Sequence, residues 1–147
     1  MNKRMITARV STKQNHGDNR EENYDYQRNG FISGKDSVAY DRGSDVTHDG
    51  VGYSVKSARF TLASANLIMG DTLSEKLDYY FARVHSDVFV YITKGYIAYE
   101  MNKSEFRKFL EVFSTLERES EKNGGGLKVR AKSESKKMLQ WFEMACA

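Results

Sequence analysis

The stretch from Asp41 to Leu62, DRGSDVTHDGVGYSVKSARFTL, constrains the fold more than any other part of the 147-residue chain. Its Asp49-Gly50 pair is a dipeptide that supplies the two positive-φ positions of a type I′ hairpin turn. A two-residue loop fixes the register, so His48 faces Val51 and each step away from the turn pairs the next two residues. The sequence therefore predicts an antiparallel hairpin that turns at Asp49-Gly50.

The predicted register brings three polar side chains to one face of the hairpin. Counting outward from the turn, Asp45 faces Ser54, and Lys56 points the same way as Ser54 because side chains alternate along a strand. The apolar residues of the second strand form the opposite face: Val51, Tyr53 and Val55. We therefore expect one carboxylate, one hydroxyl and one ammonium group to converge.

This arrangement resembles the core of the PD-(D/E)XK nuclease superfamily, the fold of many restriction enzymes and Holliday-junction resolvases. In that family an Asp on one strand and an acidic-X-Lys triplet on the next hold the catalytic Mg²⁺ and position a water. Asp45 matches the family's Asp, and Ser54-Val55-Lys56 stands where the triplet belongs. The chain departs from the pattern in having no proline before Asp45 and in replacing the acidic residue with Ser54. A metal would therefore need a second carboxylate, because a hydroxyl lacks the anionic oxygen that a hard cation prefers.

The resemblance implies an α/β fold, with a restriction-endonuclease-like mixed β-sheet core flanked by α-helices. It implies a Mg²⁺-dependent endodeoxyribonuclease, with Mn²⁺ as an alternative cofactor, that hydrolyses phosphodiester bonds in DNA. Asp45, Ser54 and Lys56 would be its catalytic residues, with Asp45 on the metal and Lys56 orienting the attacking water. The expected additional metal ligands are Glu22, in a predicted helix over Asn19–Asn29, and Glu75, which also completes a Thr72-Leu73-Ser74-Glu75 capping box.

Basic residues predict where nucleic acid would bind. Lys128, Arg130 and Lys132 lie in the most basic part of the chain, and with Arg59 they are expected to contact the phosphate backbone. The net charge of +3 and pI near 8.9 permit a polyanionic partner without requiring one. A homodimer and a protein partner are also compatible with the sequence.

Length and composition bound the remaining possibilities. A chain of this length suits one domain over residues 1–147, with residues 1–18 expected to form a loosely ordered N-terminal arm. No apolar run reaches the roughly 18 residues of a membrane span, and the first ten residues lack the apolar centre of a secretory signal. We therefore expect a cytoplasmic protein without a membrane partner. The single cysteine, Cys146, excludes an internal disulfide.

Hydrophobic periodicity and capping signals predict the other elements. The Val88–Thr93 segment, VFVYIT, is expected to be a central strand buried on both faces. The remaining predictions are a strand at Met5–Val10, a turn at Phe31–Gly34, the opening of a strand at Ser37–Tyr40, a helix from Thr72 to Val84, a strand at Tyr96–Glu100 after a Lys94-Gly95 turn, a helix from Asn102 to Glu119, an edge strand at Leu127–Ala131 and a helix at Ser133–Ala145.

A second class of function fits the same residues. A non-catalytic module could keep the nuclease fold and bind nucleic acid or a protein partner, with Ser54 marking a lost metal site. A third class, a small structural or inhibitory protein, has no positive signature in the sequence.

Overall fold

The computed structural model describes residues 1–6, 32–33 and 46–147, which form eight strands and three α-helices. The strands are β1 (Asn2–Met5), β2 (Ile32–Ser33), β3 (Val46–His48), β4 (Val51–Ser57), β5 (Val88–Ile92), β6 (Ile97–Met101), β7 (Ser114–Arg118) and β8 (Leu127–Ala131). The helices are α1 (Leu73–Arg83), α2 (Lys103–Phe113) and α3 (Lys136–Cys146). The described fold is therefore mixed α/β.

Six strands form the main sheet in the order β1-β6-β5-β4-β3-β2. The β4–β5 pair is parallel and the other described pairs are antiparallel, so the sheet is mixed. Strand β5 lies between β4 and β6, and four of its five residues are buried, from Phe89 to Ile92. The prediction of a central strand covered on both faces is confirmed.

The hairpin at Asp49-Gly50 forms as predicted. Asp49 has φ 50° and Gly50 has φ 78°, the two left-handed positions that a type I′ turn requires. Val46 pairs with Tyr53, Thr47 with Gly52 and His48 with Val51. The register deduced from the turn is therefore confirmed over the three described pairs.

All three described helices contribute to the larger of two hydrophobic clusters, on one face of the main sheet. This cluster is rich in stacked aromatic rings, with Phe109 of α2 at its centre and Phe142 of α3 on Tyr99 of β6 at 4.4 Å between centroids. A second cluster on the opposite face contains Val55 and Val90. Both faces of the central strands are therefore buried, as a mixed α/β sheet requires.

Strands β7 and β8 form a separate two-stranded antiparallel sheet. A short extended segment runs along the other side of β8, where the amide of Leu62 donates to Val129 and that of Ala131 donates to Phe60. We call the β7–β8 pair with residues 60–62 the small sheet. In the small sheet, the segment that follows β4 in the chain pairs with β8.

The small sheet corrects two predictions. The helix predicted to reach Glu119 ends at Phe113, because Ser114 caps it and the chain then extends to pair with β8. The predicted edge strand Leu127–Ala131 is β8, which lies in the small sheet between β7 and residues 60–62 rather than at an edge of the main sheet.

The N-terminal half differs from its prediction where it is described. The first strand begins at Asn2 and not at Met5, because Asn2–Met5 pairs with β6; residues 7–10 of the predicted Met5–Val10 strand lie outside the described residues. Ile32 and Ser33, predicted to lie in a turn, pair with Thr47 and Val46 as β2. The predicted Asn19–Asn29 helix and Ser37–Tyr40 strand lie outside the described residues.

The last helix begins at Lys136 and not at Ser133, because the side chain of Ser135 caps it.

Ala58, which follows β4, has φ 54°, a left-handed conformation that costs a non-glycine residue roughly 1–2 kcal/mol. Its side chain is exposed. We expect Ala58→Gly to raise the free energy of unfolding by about 0.5–1 kcal/mol, since relief of this strain exceeds the extra entropy that glycine gives the unfolded chain. Urea unfolding of the two proteins measures the difference, and a lower unfolding free energy in the variant would contradict the expectation.

Candidate functional site

The predicted triplet Ser54-Val55-Lys56 lies in the middle of β4, between β3 and β5. Val55 belongs to the hydrophobic cluster on one face, and Tyr53 packs against the same cluster. Ser54 and Lys56 therefore project from the opposite face, the one covered by the helices. The structure confirms that the hydroxyl and the ammonium group share a face.

Ser54 is buried and already has a hydrogen-bond partner. Its side chain is 4% exposed, and its Oγ lies 2.6 Å from Oγ of Ser86, which is fully buried just before β5. The bond joins β4 to the segment that leads into β5, since Ser86 lies two residues before Val88, the first residue of that strand. Ser54 therefore links β4 to β5, and its hydroxyl would have to leave Ser86 or share it in order to contact a water ligand.

Lys56 lies beside an aromatic ring of the helical face and next to Tyr91 in the sheet. Its Nζ is 5.8 Å from the ring centroid of Phe60, and its backbone pairs with Tyr91 of β5. Burial raises the pKa of Tyr91 to about 12, so this phenol is neutral near pH 7 and donates to the carbonyl of Ala58 at 3.4 Å. Lys56 forms no ion pair with any acidic residue in the described part of the chain.

The two other residues expected at a metal, Asp45 and Glu22, lie outside the described residues. Asp45 directly precedes Val46, the first residue of β3, which pairs with Tyr53. The predicted pairing of Asp45 with Ser54 stays a prediction. Among residues 1–6, 32–33 and 46–147, no group of three His, Cys, Asp or Glu side chains could hold a metal ion. A metal site would therefore depend on carboxylates such as Asp45 and Glu22.

Glu75 forms the capping box that the sequence predicted. Its carboxylate accepts the amides of Asp71 and Thr72 at 3.1 and 3.0 Å, while Oγ1 of Thr72 accepts the amide of Glu75. These hydrogen bonds to Asp71 and Thr72 hold the pKa of the exposed Glu75 carboxyl below its usual value of 4.5. The structure gives Glu75 a role at the start of α1, and its role as a metal ligand stays a prediction.

Glu75→Gln should separate these two roles. Because the carboxyl has a lower pKa in the folded protein than in the unfolded chain, its contribution to stability is present above pH 4.5 and is lost as the pH falls through the lowered pKa. We expect the melting temperature of the wild type, measured from pH 7 to pH 3, to show this loss, and the variant to lack it. An equal fall in melting temperature at acidic pH in both proteins would contradict the capping role of Glu75. A lower Mn²⁺ affinity in the variant would add Glu75 to the metal ligands.

The four residues predicted to bind nucleic acid meet around the outer face of the small sheet. Lys128 and Arg130 alternate with Val129 and Ala131, which are buried against the core, so the basic side chains point outward. Lys132 continues the alternation beyond β8. Arg59 reaches this face through an ion pair with Glu117 of β7. We call these four basic residues, with Glu117, the basic face.

Arg130 is held at the centre of the basic face. Its Nη1 donates to Oγ1 of Thr61 at 2.5 Å, across the bridge between Thr61 and β8. Its Nε is buried and has no hydrogen-bond partner among the residues that the structure describes. The side chains of Lys128 and Lys132 form no hydrogen bond or ion pair with any described residue. The face therefore presents several cations that a polyanion could contact.

Two residues around these sites were not predicted from the sequence. Ser86 follows Ser54 by 32 positions, and only the parallel pairing of β4 with β5 brings the two hydroxyls together. Glu117 was placed in a helix, so its position opposite Lys128 was missed. The polar residues Thr115 and Glu117 stand on either side of the apolar Leu116, and this alternation is the signal that could have indicated a strand.

No protein-family model, curated protein or solved structure matches this chain. Across the described ranges, none of the helices has the length and apolar character needed to cross a membrane. The hairpin, Lys56 and the basic face are therefore the features of the chain from which a function can be inferred.

Proposed function

We propose that the protein is a metal-dependent nuclease that hydrolyses phosphodiester bonds in DNA, with a restriction-endonuclease-like fold. The observation that carries the proposal is the placement of Ser54 and Lys56 on one face of β4, after the tight Asp49-Gly50 turn. The lack of an ion-pair partner for Lys56 within the described chain supports a role in binding an anion.

The order of elements around β4 supports the proposed fold. The hairpin strand that bears the triplet is followed by α1 and then by β5, which returns parallel to β4. This succession gives a mixed sheet with helices packed on it, the layout that the resemblance implies. The candidate lysine thus lies on an inner strand of the sheet, where its backbone pairs with Tyr91 of β5.

Each residue of the proposed site has a separate role. Lys56 would donate a hydrogen bond to the attacking water or to the phosphate, and would stabilise the negative charge that develops on the phosphate oxygens. Asp45 would bind the divalent cation, with Glu22 or Glu75 as a further ligand, and Ser54 would at most support a water. A bound Mg²⁺ or Mn²⁺ supplies Lewis-acid activation of a phosphodiester and of a water.

Cleavage of supercoiled plasmid tests the proposal. We expect purified protein to produce nicked or linear DNA with Mn²⁺ or Mg²⁺, and no product when a chelator removes the metal. Branched DNA and RNA, offered in the same buffer, distinguish the forms of substrate. A protein that cuts none of these nucleic acids with either metal would refute the nuclease proposal.

The contact between Ser54 and Ser86 favours a second candidate, a module of the same fold that binds nucleic acid without cleaving it. Ser54 stands at the position where the family has its acidic residue, and its buried hydroxyl shares a hydrogen bond with the buried hydroxyl of Ser86. Such a module should retard labelled DNA equally with metal or chelator and leave it intact. Binding without cleavage under all metal conditions would select this second candidate.

A further inference from the structure

We propose that Glu117 occupies the place of a nucleic-acid phosphate on the basic face, and that bound DNA replaces its contact with Arg59. This inference rests on the nucleic-acid binding in the proposed function, but it does not depend on cleavage. It assigns Glu117 as an internal competitor that weakens DNA binding and so sets the affinity of the site.

The contact between Arg59 and Glu117 is suited to exchange. Nη2 of Arg59 donates to Oε2 of Glu117, and the two side chains are 47% and 36% exposed. Exposed ion pairs of this kind contribute little to stability, because water solvates both partners when they separate. A phosphate that offers Arg59 an equivalent acceptor can therefore displace the carboxylate without unfolding the small sheet.

The surroundings of Glu117 favour an anion from outside the protein. Glu117 pairs with Lys128 across the sheet, and Arg130 follows two positions along β8. Four basic residues against one acid leave the basic face with a net charge of 4 − 1 = +3. The neighbouring carboxylate of Glu119 is engaged elsewhere, since its Oε1 accepts the amide of Ala65 at 2.9 Å. Glu117 is thus the acid that faces these cations.

The chemistry of the guanidinium group explains why the exchange changes affinity. Arginine presents a planar set of donors that matches a carboxylate and a phosphate in the same way. When DNA binds, the ion pair between Arg59 and Glu117 must break. The released carboxylate then lies among phosphates, which are also negatively charged. Both effects oppose binding, and both disappear when the side chain at position 117 is neutral.

A double-mutant cycle tests the proposal. Affinity for a short fluorescein-labelled DNA duplex is measured by anisotropy in a chelator, so that cleavage does not intervene. We expect Glu117→Gln to tighten binding by about threefold to tenfold in the wild-type background, with a steeper salt dependence. In the Arg59→Gln background the same change should tighten binding by a clearly smaller factor, because the competition for Arg59 is absent and only the repulsion between the Glu117 carboxylate and the phosphates remains.

Glu121→Gln is the matched control, since Glu121 is an exposed acid in the turn between β7 and β8 and its loss changes the net charge equally. It should change affinity by less than about twofold, as expected for a charge outside the contact. Equal gains from Glu117→Gln in both Arg59 backgrounds, equal gains from the control, or no DNA binding by the wild type would each overturn the proposal. Cleavage of DNA without the predicted coupling would refute this inference alone, whereas the coupling without cleavage would refute only the nuclease proposal.

Discussion

Phe109→Ala is expected to lower the free energy of unfolding by about 3–5 kcal/mol, the cost of removing a fully buried phenyl ring. Phe109 has no exposed surface and lies at the centre of the helical cluster. Its ring contacts those of six residues: Phe60, Tyr91, Phe106, Phe113, Trp141 and Phe142. Because a domain of this size is stable by only about 5–15 kcal/mol, this loss is a large share of the total stability, and the midpoint of unfolding should fall markedly.

Val112→Ala is the control for this prediction. Val112 lies on the same helix, but it is 50% exposed, so its truncation should change the unfolding free energy by less than about 1 kcal/mol. Chemical unfolding followed by circular dichroism measures both variants. If Phe109→Ala were no less stable than Val112→Ala, the aromatic cluster would not be the core that holds α2 on the sheet.

Lys56→Ala is expected to lower the rate of metal-dependent DNA cleavage by at least about 100-fold, the usual loss when a group that stabilises transition-state charge is removed. The ammonium group belongs to the triplet itself, and it has no acidic partner in the described part of the chain. Lys56→Arg should not restore the full rate, because a planar guanidinium group cannot replace a compact ammonium beside the same phosphate. Single-turnover cleavage of plasmid measures the three proteins.

The lower cleavage rate of Lys56→Ala must come from the chemical step and not from unfolding of the variant. Lys56 is partly exposed, and the removal of its cation–π contact with Phe60 should cost only about 0.5–1 kcal/mol of stability. Lys122→Ala, in the exposed turn between β7 and β8, is the control for general loss of positive charge. A folded Lys56→Ala variant that cleaves DNA as fast as the wild type would remove Lys56 from the proposed mechanism.

The hairpin and the starts of α1 and α2 were predictable because short-range rules determine them. Asp49-Gly50 requires two left-handed residues in sequence, and a two-residue loop leaves the strands a single register. The capping boxes at Thr72 and Asn102 join side chains three positions apart to the backbone. Each of these features depends on a few neighbouring residues and on little else in the fold.

The small sheet was missed because tertiary pairing outweighs local propensity there. Leu116 continues the apolar spacing of α2 and Glu117 is a good helix former, so the pattern favoured a helix as far as Glu119. Pairing with β8 instead satisfies the backbone of this segment over five residue pairs. Ser86 and Glu117 became neighbours of Ser54 and Arg59 only through such long-range pairing. Sequence periodicity carries no signal for contacts of this kind.

Arg59 connects the basic face to the stretch of chain that bears Lys56. Strand β4 ends at Ser57, the backbone turns at Ala58 in a left-handed conformation, and Arg59 then enters the basic face. DNA that contacts Lys128 and Arg130 would therefore lie against the strand that leads from the candidate site. This connection links binding on the small sheet to hydrolysis on the main sheet in the proposed function.

Calorimetric titration with Mn²⁺ tests the central claim most directly, since the proposal requires Asp45 to hold a divalent cation beside Lys56. The wild type should bind Mn²⁺, and Asp45→Asn should lose that binding because an amide oxygen carries no charge. Asp49→Asn is the control, since Asn-Gly also favours the type I′ turn and leaves the predicted ligands in place. Loss of Mn²⁺ binding in Asp45→Asn, with the control unchanged, is the predicted result. Equal Mn²⁺ affinity in all three proteins, or no Mn²⁺ binding by the wild type, would contradict the claim.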